Sequence, residues 1–164
     1  MKISVYAICK NEEKFAARWA ASMQEADQVV VLDTGSTDGT VEQLRQAGVQ
    51  VYEKKIEPWR FDVARNEALA LVDDDTDICI CTDLDEVFSG PWREKVEQVW
   101  QPDVNWMRCR FVWSFQPDGS EGLVYWHTRI HGRHGFRWVH PVHEALECDH
   151  PGRVVDLQGV QLLH

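Results

Sequence analysis

Through residues 1–90, short apolar runs alternate with segments of helical period, and that alternation leaves few folds open to the chain. Ile3–Ile8 and Val29–Leu32 are apolar runs bounded by polar residues, as buried strands require. Between them Asn11 is placed to cap a helix with Glu12 and Glu13 in its first turn, and Phe15, Trp19 and Met23 recur on one face. A second helix is expected to start between Thr37 and Thr40, to bury Val41 and Leu44, and to stop at Gly48 before Val49–Tyr52 resumes a strand. Phe61–Val72 again carries apolar residues at helical spacing and leads into the strand Ile78–Thr82. Strands alternating with helices pack as a mainly parallel sheet flanked by helices, so the fold class is α/β.

Beyond Asp85 the texture changes to a β-rich C-terminal half. Pro91 suits the first turn of a helix running to about Trp100, and Val104–Phe115 then alternates with Met107, Cys109, Phe111, Trp113 and Phe115 on one face. The turn Pro117-Asp118-Gly119-Ser120 separates that run from Leu123–Ile130, which predicts a hairpin-like pair. With 164 residues and no linker, repeat or low-complexity segment, one domain is expected, residues 1–90 forming one half and 91–164 the other.

Composition removes some partners. The 27 acidic and 17 basic residues give a formal charge of −10, which disfavours a nucleic-acid duplex or an anionic membrane surface as partner. The five cysteines are odd in number and lie mostly in apolar runs, as small buried residues do in a reducing compartment. No apolar run is long enough to span a bilayer, and Met1 leads directly into the strand-like ISVYAI. A cytoplasmic location is expected.

The chemistry concentrates where strands end. Cys81-Thr82-Asp83-Leu84-Asp85-Glu86 sets three carboxylates within four residues at the end of an apolar run, and crowding like charges there is unfavourable. A hard divalent cation, Mg²⁺ or Mn²⁺, would relieve that repulsion through oxygen ligands while keeping positions for phosphate and water. Ligands of open α/β sheets bind beyond the carboxyl ends of the strands. Taken alone, an Asp-x-Asp fits a loop capping a turn better than a metal site. A second acidic strand end, Asp33, precedes Thr34-Gly35-Ser36-Thr37-Asp38-Gly39-Thr40, whose glycines permit close backbone approach and whose hydroxyls and amides can receive a nucleotide at a helix start.

Four ordered blocks, Ala7-Ile8-Cys9-Lys10-Asn11-Glu12-Glu13, Val31-Leu32-Asp33 through Thr40, Ala64-Arg65-Asn66 and Asp83-Leu84-Asp85-Glu86, resemble the family 2 inverting glycosyltransferases. The resemblance implies a GT-A, Rossmann-like fold in which a nucleotide-diphospho-sugar, a UDP-sugar by default, binds near Ile8, Asn11, Asp33, Arg65, Asp83 and Leu84. It implies Mn²⁺ or Mg²⁺ on Asp83 and Asp85, with His164 as a third ligand. Many members carry a second aspartate where this chain has Thr34, so the base is left open.

The second half is similar to that of bacterial lipopolysaccharide-core sugar transferases, in which an Arg-rich stretch precedes a Val-His-Glu segment, here Val142-His143-Glu144. The resemblance makes Glu144 the general base that deprotonates an acceptor hydroxyl, and Arg129 a donor-binding residue, with Arg133 and Arg137 as unranked alternatives. Five of the seven histidines lie between His127 and His143, which leaves a zinc site as a rival, although no close Cys-x-x-Cys or His-Glu-x-x-His spacing supports one. Trp106, Trp113, Trp126 and Trp138 are placed where flat rings could meet a sugar acceptor or simply pack a core. Two other functions remain: a nucleotidyltransferase, disfavoured because Cys9-Lys10-Asn11-Glu12-Glu13 stands in place of a Gly-rich basic loop, and a nucleotide-sugar binding module without turnover.

Overall fold

A computed structural model describes residues 1–164. In chain order the elements are β1 (Ile3–Cys9), α1 (Glu13–Ser22), β2 (Gln28–Asp33), α2 (Thr40–Gln46), β3 (Gln50–Glu53), α3 (Phe61–Ala70), β4 (Ile78–Cys81), β5 (Val87–Phe88), α4 (Arg93–Val99), β6 (Val104–Val112), β7 (Val124–Gly132), β8 (Phe136–Val139), β9 (Ala145–Cys148) and β10 (Arg153–Leu163). Eight strands make one sheet in the order β3-β2-β1-β4-β7-β6-β10-β5, and β8 pairs β9 as a separate ribbon.

Strands β3, β2, β1 and β4 are mutually parallel, as the alternation with helices requires. The sheet turns antiparallel at β7, whose Gly132, His131 and Ile130 face Ile78, Cys79 and Ile80, and β6 pairs β7 as the expected hairpin. Every residue of β1 is buried, because both faces of this central strand are covered. Ile3, Val5 and Ala7 face a core with Trp19, Leu44 and Val96 from α1, α2 and α4 and with the cap residues Met23 and Trp92, while Tyr6 and Ile8 face a second core with Ala64, Ala68 and Trp138. Helices on both faces account for the unbroken apolar run that marks β1 in the sequence.

Three expectations are corrected here: the cap of α1, the burial of Val41 and the end of β6. Asn11 is not the cap of α1; it has φ +56°, and its side-chain oxygen accepts a bond from the backbone N–H of Thr37 at 2.7 Å, while Glu12 occupies the cap position. Helix α2 starts at Thr40, the late end of the expected window, because the residues before it form a loop held by side chains. Val41 is only half-buried, so the face of α2 that meets the core rests on Leu44. The alternation of β6 ends at Val112: Met107, Cys109 and Phe111 are fully buried, but Trp113 and Phe115 lie outside the strand at 45% and 48% exposure.

A buried polar chain ties the ribbon to the sheet. The Trp138 indole N–H donates to Tyr6 Oη at 2.8 Å, and Tyr6 Oη lies 2.9 Å from His131 Nε2. Because His131 Nδ1 faces the Gly132 carbonyl at 2.7 Å, an acceptor only, it must carry the proton, so Nε2 accepts from Tyr6. Burial pushes His131 down to about 4, which keeps it in that neutral form. Asn66 of α3 adds a two-way contact, accepting from the Trp138 N–H and donating to its carbonyl, both at 2.8 Å. The ribbon is thereby fixed against the carboxyl edge of the parallel strands.

Candidate active site

Strand order and chain direction locate the cleft. The chain runs outward through β1, β2 and β3, then crosses by α3 to place β4 on the other side of β1, so the carboxyl ends of β1 and β4 diverge at a switch point. A cavity of about 370 Å³ opens there, lined by Ile8, Lys10 and Glu12 from the β1 side, Asp83 and Asp85 after β4, and Arg65 and Glu144 across from them. That volume suits a small ligand.

Arg65 organises one wall. Only 3% exposed, it reaches from α3 to donate from Nη2 to Asp83 Oδ1 at 2.6 Å and from Nε to Glu144 Oε1 at 3.2 Å, with its guanidinium 5.5 Å from the Trp138 ring centre. Arg129 of β7 approaches Asp83 Oδ2 at 3.5 Å and is hydrogen-bonded to Glu86, whose other oxygen accepts from the Asp83 N–H at 2.9 Å. Burial alone would raise the Asp83 carboxyl, but the charges of Arg65 and Arg129 outweigh it and hold Asp83 below the usual range. Burial pushes Glu86 up to about 7.

The other wall carries unbalanced negative charge. Glu12 is pushed up to about 7, first by burial and then by repulsion from Asp85 and Asp83, and its Oε2 is buried without a hydrogen-bond partner. Asp85 Oδ2 lies 3.1 Å from His164 Nε2, while His164 Nδ1 faces the Trp113 carbonyl at 3.0 Å and its ring stacks on Trp113. Nδ1 is committed as a donor to that carbonyl, which leaves Nε2 facing the Asp85 carboxylate. The donor atoms of Asp83, Asp85 and His164 do not close on one point, since Arg65 holds Asp83 to one side and His164 holds Asp85 to the other.

An uncompensated carboxylate also has a thermodynamic signature. With a folded-state value of about 7 against an ordinary 4.5, Glu12 favours its protonated form in the folded chain. The penalty for ionising it therefore develops as pH rises through 4.5 and is complete above 7. Glu12→Gln is expected to match the parent in stability near pH 4 and to exceed it by on the order of 1–2 kcal/mol at pH 8. Urea unfolding at the two pH values reads this, and an equal difference at both would show that the carboxylate does not carry the strain.

The expected site residues divide into two groups. Ile8, Arg65, Asp83, Asp85 and Glu144 line the cleft, and Arg129 and His164 touch its carboxylates. The Leu84 side chain is fully buried in the core and has no access to a ligand. Asp33 is 1% exposed, and its carboxylate is spent on the Gly35 and Ser36 N–H groups at 2.9 and 2.8 Å and on the Ser36 hydroxyl, so it shapes the loop rather than presenting a free oxygen. Asn11 supports the same loop from the other side.

Arg133 and Arg137 drop out. The first binds the carbonyls of Val72 and Asp73, which lie before β4, and the second pairs with Glu147 on the ribbon. None of the five histidines between His127 and His143 joins a group of three metal-capable side chains, which removes the zinc rival in that stretch. Of the four tryptophans placed near an acceptor, Trp138 is core at 7% exposure, Trp106 packs on Phe136, and Trp126 lies outside the cleft lining; Trp113 alone adjoins it, through His164. Sequence reading missed Trp59 and Phe61, which line the cleft, and the role of Glu12, which the helix pattern had absorbed into the first turn of α1.

Comparison with known proteins agrees with this geometry. The family model described as Glycosyl transferase family 2 matches residues 4–144. The chain is 30% identical over 102 residues to the lipopolysaccharide core biosynthesis glycosyltransferase LpsC of Rhizobium meliloti, covering 60% of this chain and 37% of that protein. Among solved structures it resembles a mannosyltransferase of Pyrobaculum calidifontis in complex with GDP-Man and Mn²⁺, with TM-score 0.55 and 22% identity over 71% of this chain and 36% of the other. It also resembles glucosyl-3-phosphoglycerate synthase of Mycobacterium tuberculosis with Mn²⁺, UDP and phosphoglyceric acid, with TM-score 0.55 and 22% identity over 67% of this chain and 43% of that one. At the 22% identity of the two solved structures the likeness concerns the fold, and the chain spans less than half the length of each of these relatives.

Proposed function

Because the chain belongs to glycosyl transferase family 2, we propose that it moves a sugar, with inversion, from a nucleotide-diphospho-sugar to a hydroxyl acceptor in a reaction that uses Mn²⁺ or Mg²⁺. The observation that carries this reading is the convergence of Glu12, Asp83 and Asp85 at the switch point of the sheet, with Arg65 and Glu144 facing them. A uridine donor is the default, and residues 1–90 supply the donor half of one domain while 91–164 supply the acceptor half. The buried cysteines support a cytoplasmic setting, and no helix is long and apolar enough to cross a membrane.

The residues suit a divalent cation. A wall of carboxylates with an orphaned Glu12 oxygen, and the His164 imidazole beside Asp85, is a donor set for a divalent ion that keeps water and phosphate in its remaining positions. Asp83, Asp85 and His164 would hold it, and when bound it supplies Lewis-acid stabilisation of the departing diphosphate without proton transfer. Arg65, desolvated and planar, offers donors to the same diphosphate. Glu144 takes the acceptor proton as general base; Arg65 occupies its Oε1 and leaves Oε2 for the hydroxyl. Trp59 and Lys10 at the β1 side of the cleft are where the nucleoside would lie.

A thermal-shift panel of nucleotide sugars with and without Mn²⁺, followed by product analysis, tests the reading. A metal-dependent rise in melting temperature with release of nucleoside diphosphate is expected. Pyrophosphate would establish a nucleotidyltransferase instead, and a shift with no turnover on any acceptor would leave a binding module.

A further inference from the structure

We propose that Cys148, Asp149 and His150, in the turn between β9 and β10, form a binding site for a transition-metal ion, zinc being the ion their donors suit, separate from the cleft. Thiolate sulfur, imidazole nitrogen and carboxylate oxygen are a zinc donor set. The three donor atoms all lie within 4.8 Å of one another. Cys148 Sγ is 3.4 Å from His150 Nδ1, and Nδ1 is 2.8 Å from Asp149 Oδ1. A sulfur at about 2.3 Å and a nitrogen at about 2.0 Å from one tetrahedral zinc stand roughly 3.5 Å apart, so the sulfur–nitrogen edge is already set.

Two features of the surroundings show why these atoms converge. Gly135, at φ +80°, passes directly over the turn, and a Cβ there would fall 2.5 Å from both Asp149 Oδ1 and His150 Nδ1, so the donors occupy a space that only glycine leaves open. Its carbonyl accepts from the Asp149 N–H at 2.9 Å and fixes the turn. On the other side Asn105, 9% exposed, donates from Nδ2 to Cys148 Sγ at 3.5 Å and to the His150 carbonyl at 3.3 Å. A donor from a buried amide to a ligating sulfur stabilises the thiolate form and orients it.

One adjustment is needed. Sγ also lies 3.8 Å from His150 Nε2, so the ring must turn about its terminal side-chain torsion to aim the Nδ1 lone pair at the ion. With 48% of its side chain exposed, His150 is free to do so. A metal takes the thiolate and a bare imidazole nitrogen, so binding releases the thiol proton and affinity rises with pH. Three protein donors leave the fourth position to water, which makes this an exchangeable site.

The test uses the full chain carrying Asp83→Asn and Asp85→Asn, so that the cleft contributes no carboxylate pair. Titration with Co²⁺ is expected to give one equivalent of binding with a thiolate-to-cobalt charge-transfer absorption that Zn²⁺ abolishes. Cys148→Ser should remove the absorption, and His150→Ala should weaken binding at least tenfold. Absence of the absorption, or its persistence in Cys148→Ser, overturns the proposal. A second measurement needs no substitution: Cys148 is the one cysteine not buried, so Zn²⁺ should slow its alkylation, read by mass spectrometry on the unmodified sequence. An unchanged rate at saturating zinc also overturns it.

Discussion

Replacing Asp85 by Asn is expected to lower the proposed sugar transfer by about 10²–10³-fold while leaving the fold intact. The Asp85 carboxylate has 30% of its side chain exposed and its one partner is His164, so it contributes little to stability. Its backbone carbonyl, which accepts from Arg18 at 3.0 Å, is unaffected by the change. In the proposed reaction the amide loses a carboxylate that would hold the cation, and a Lewis acid held there would stabilise several kcal/mol of developing charge. The loss should fall mainly on the turnover number and on Mn²⁺-dependent nucleotide affinity, measured by coupled release of nucleoside diphosphate and by calorimetry with UDP. Activity within tenfold of the parent would remove Asp85 from the metal site.

Arg129→Ala is expected to destabilise the chain by about 3–5 kcal/mol. Arg129 is 7% exposed and Glu86 1%, and each is the other's main compensation in the interior. Losing the guanidinium leaves Glu86 buried and unpaired beside Asp83. Burial already raises Glu86 to about 7 against an ordinary 4.5. In the variant that penalty grows, appearing as pH rises above 4.5, so the destabilisation should be larger at pH 8 than at pH 5. The paired substitution Arg129→Met with Glu86→Leu should recover most of the loss, because apolar side chains of similar volume need no partner. Denaturant midpoints at unchanged slope read both effects. A loss below 1 kcal/mol for Arg129→Ala at pH 8 would mean that Glu86 finds water or another cation.

The parallel half of the fold was legible because its signals are local. Buried strands such as Ile3–Cys9 are continuous apolar runs, and the helices between them carry their spacing on single faces. Asp83 and Asp85 were legible for the same reason, as charge where an apolar strand stops. Asp33 shows the limit of that reasoning: it too ends a strand, but its carboxylate turns back to close its own loop. A run of residues does not say whether an acceptor will be satisfied within the chain or left for a ligand. Glu12 shows the converse, since helical patterning explained it completely and only packing brought it against residues more than 70 positions away. The Arg65 contact to Glu144, 79 residues apart, likewise depends on how the ribbon docks. Trp113 and Phe115 were misread because a period of two does not record where a strand ends.

The polar chain through Trp138, Tyr6 and His131 constrains how sequences of this kind can diverge. Each member supplies the only partner that satisfies the next, with donor and acceptor roles fixed in one direction from the indole N–H to the Gly132 carbonyl. Tyr6→Phe would strand a buried donor on one side and a buried acceptor on the other, so a change at position 6 is tolerable only alongside changes at 131 and 138. These three positions lie on β1, β7 and β8, far apart in the chain, and are expected to be inherited as one character, exchanged together for an apolar set or retained together.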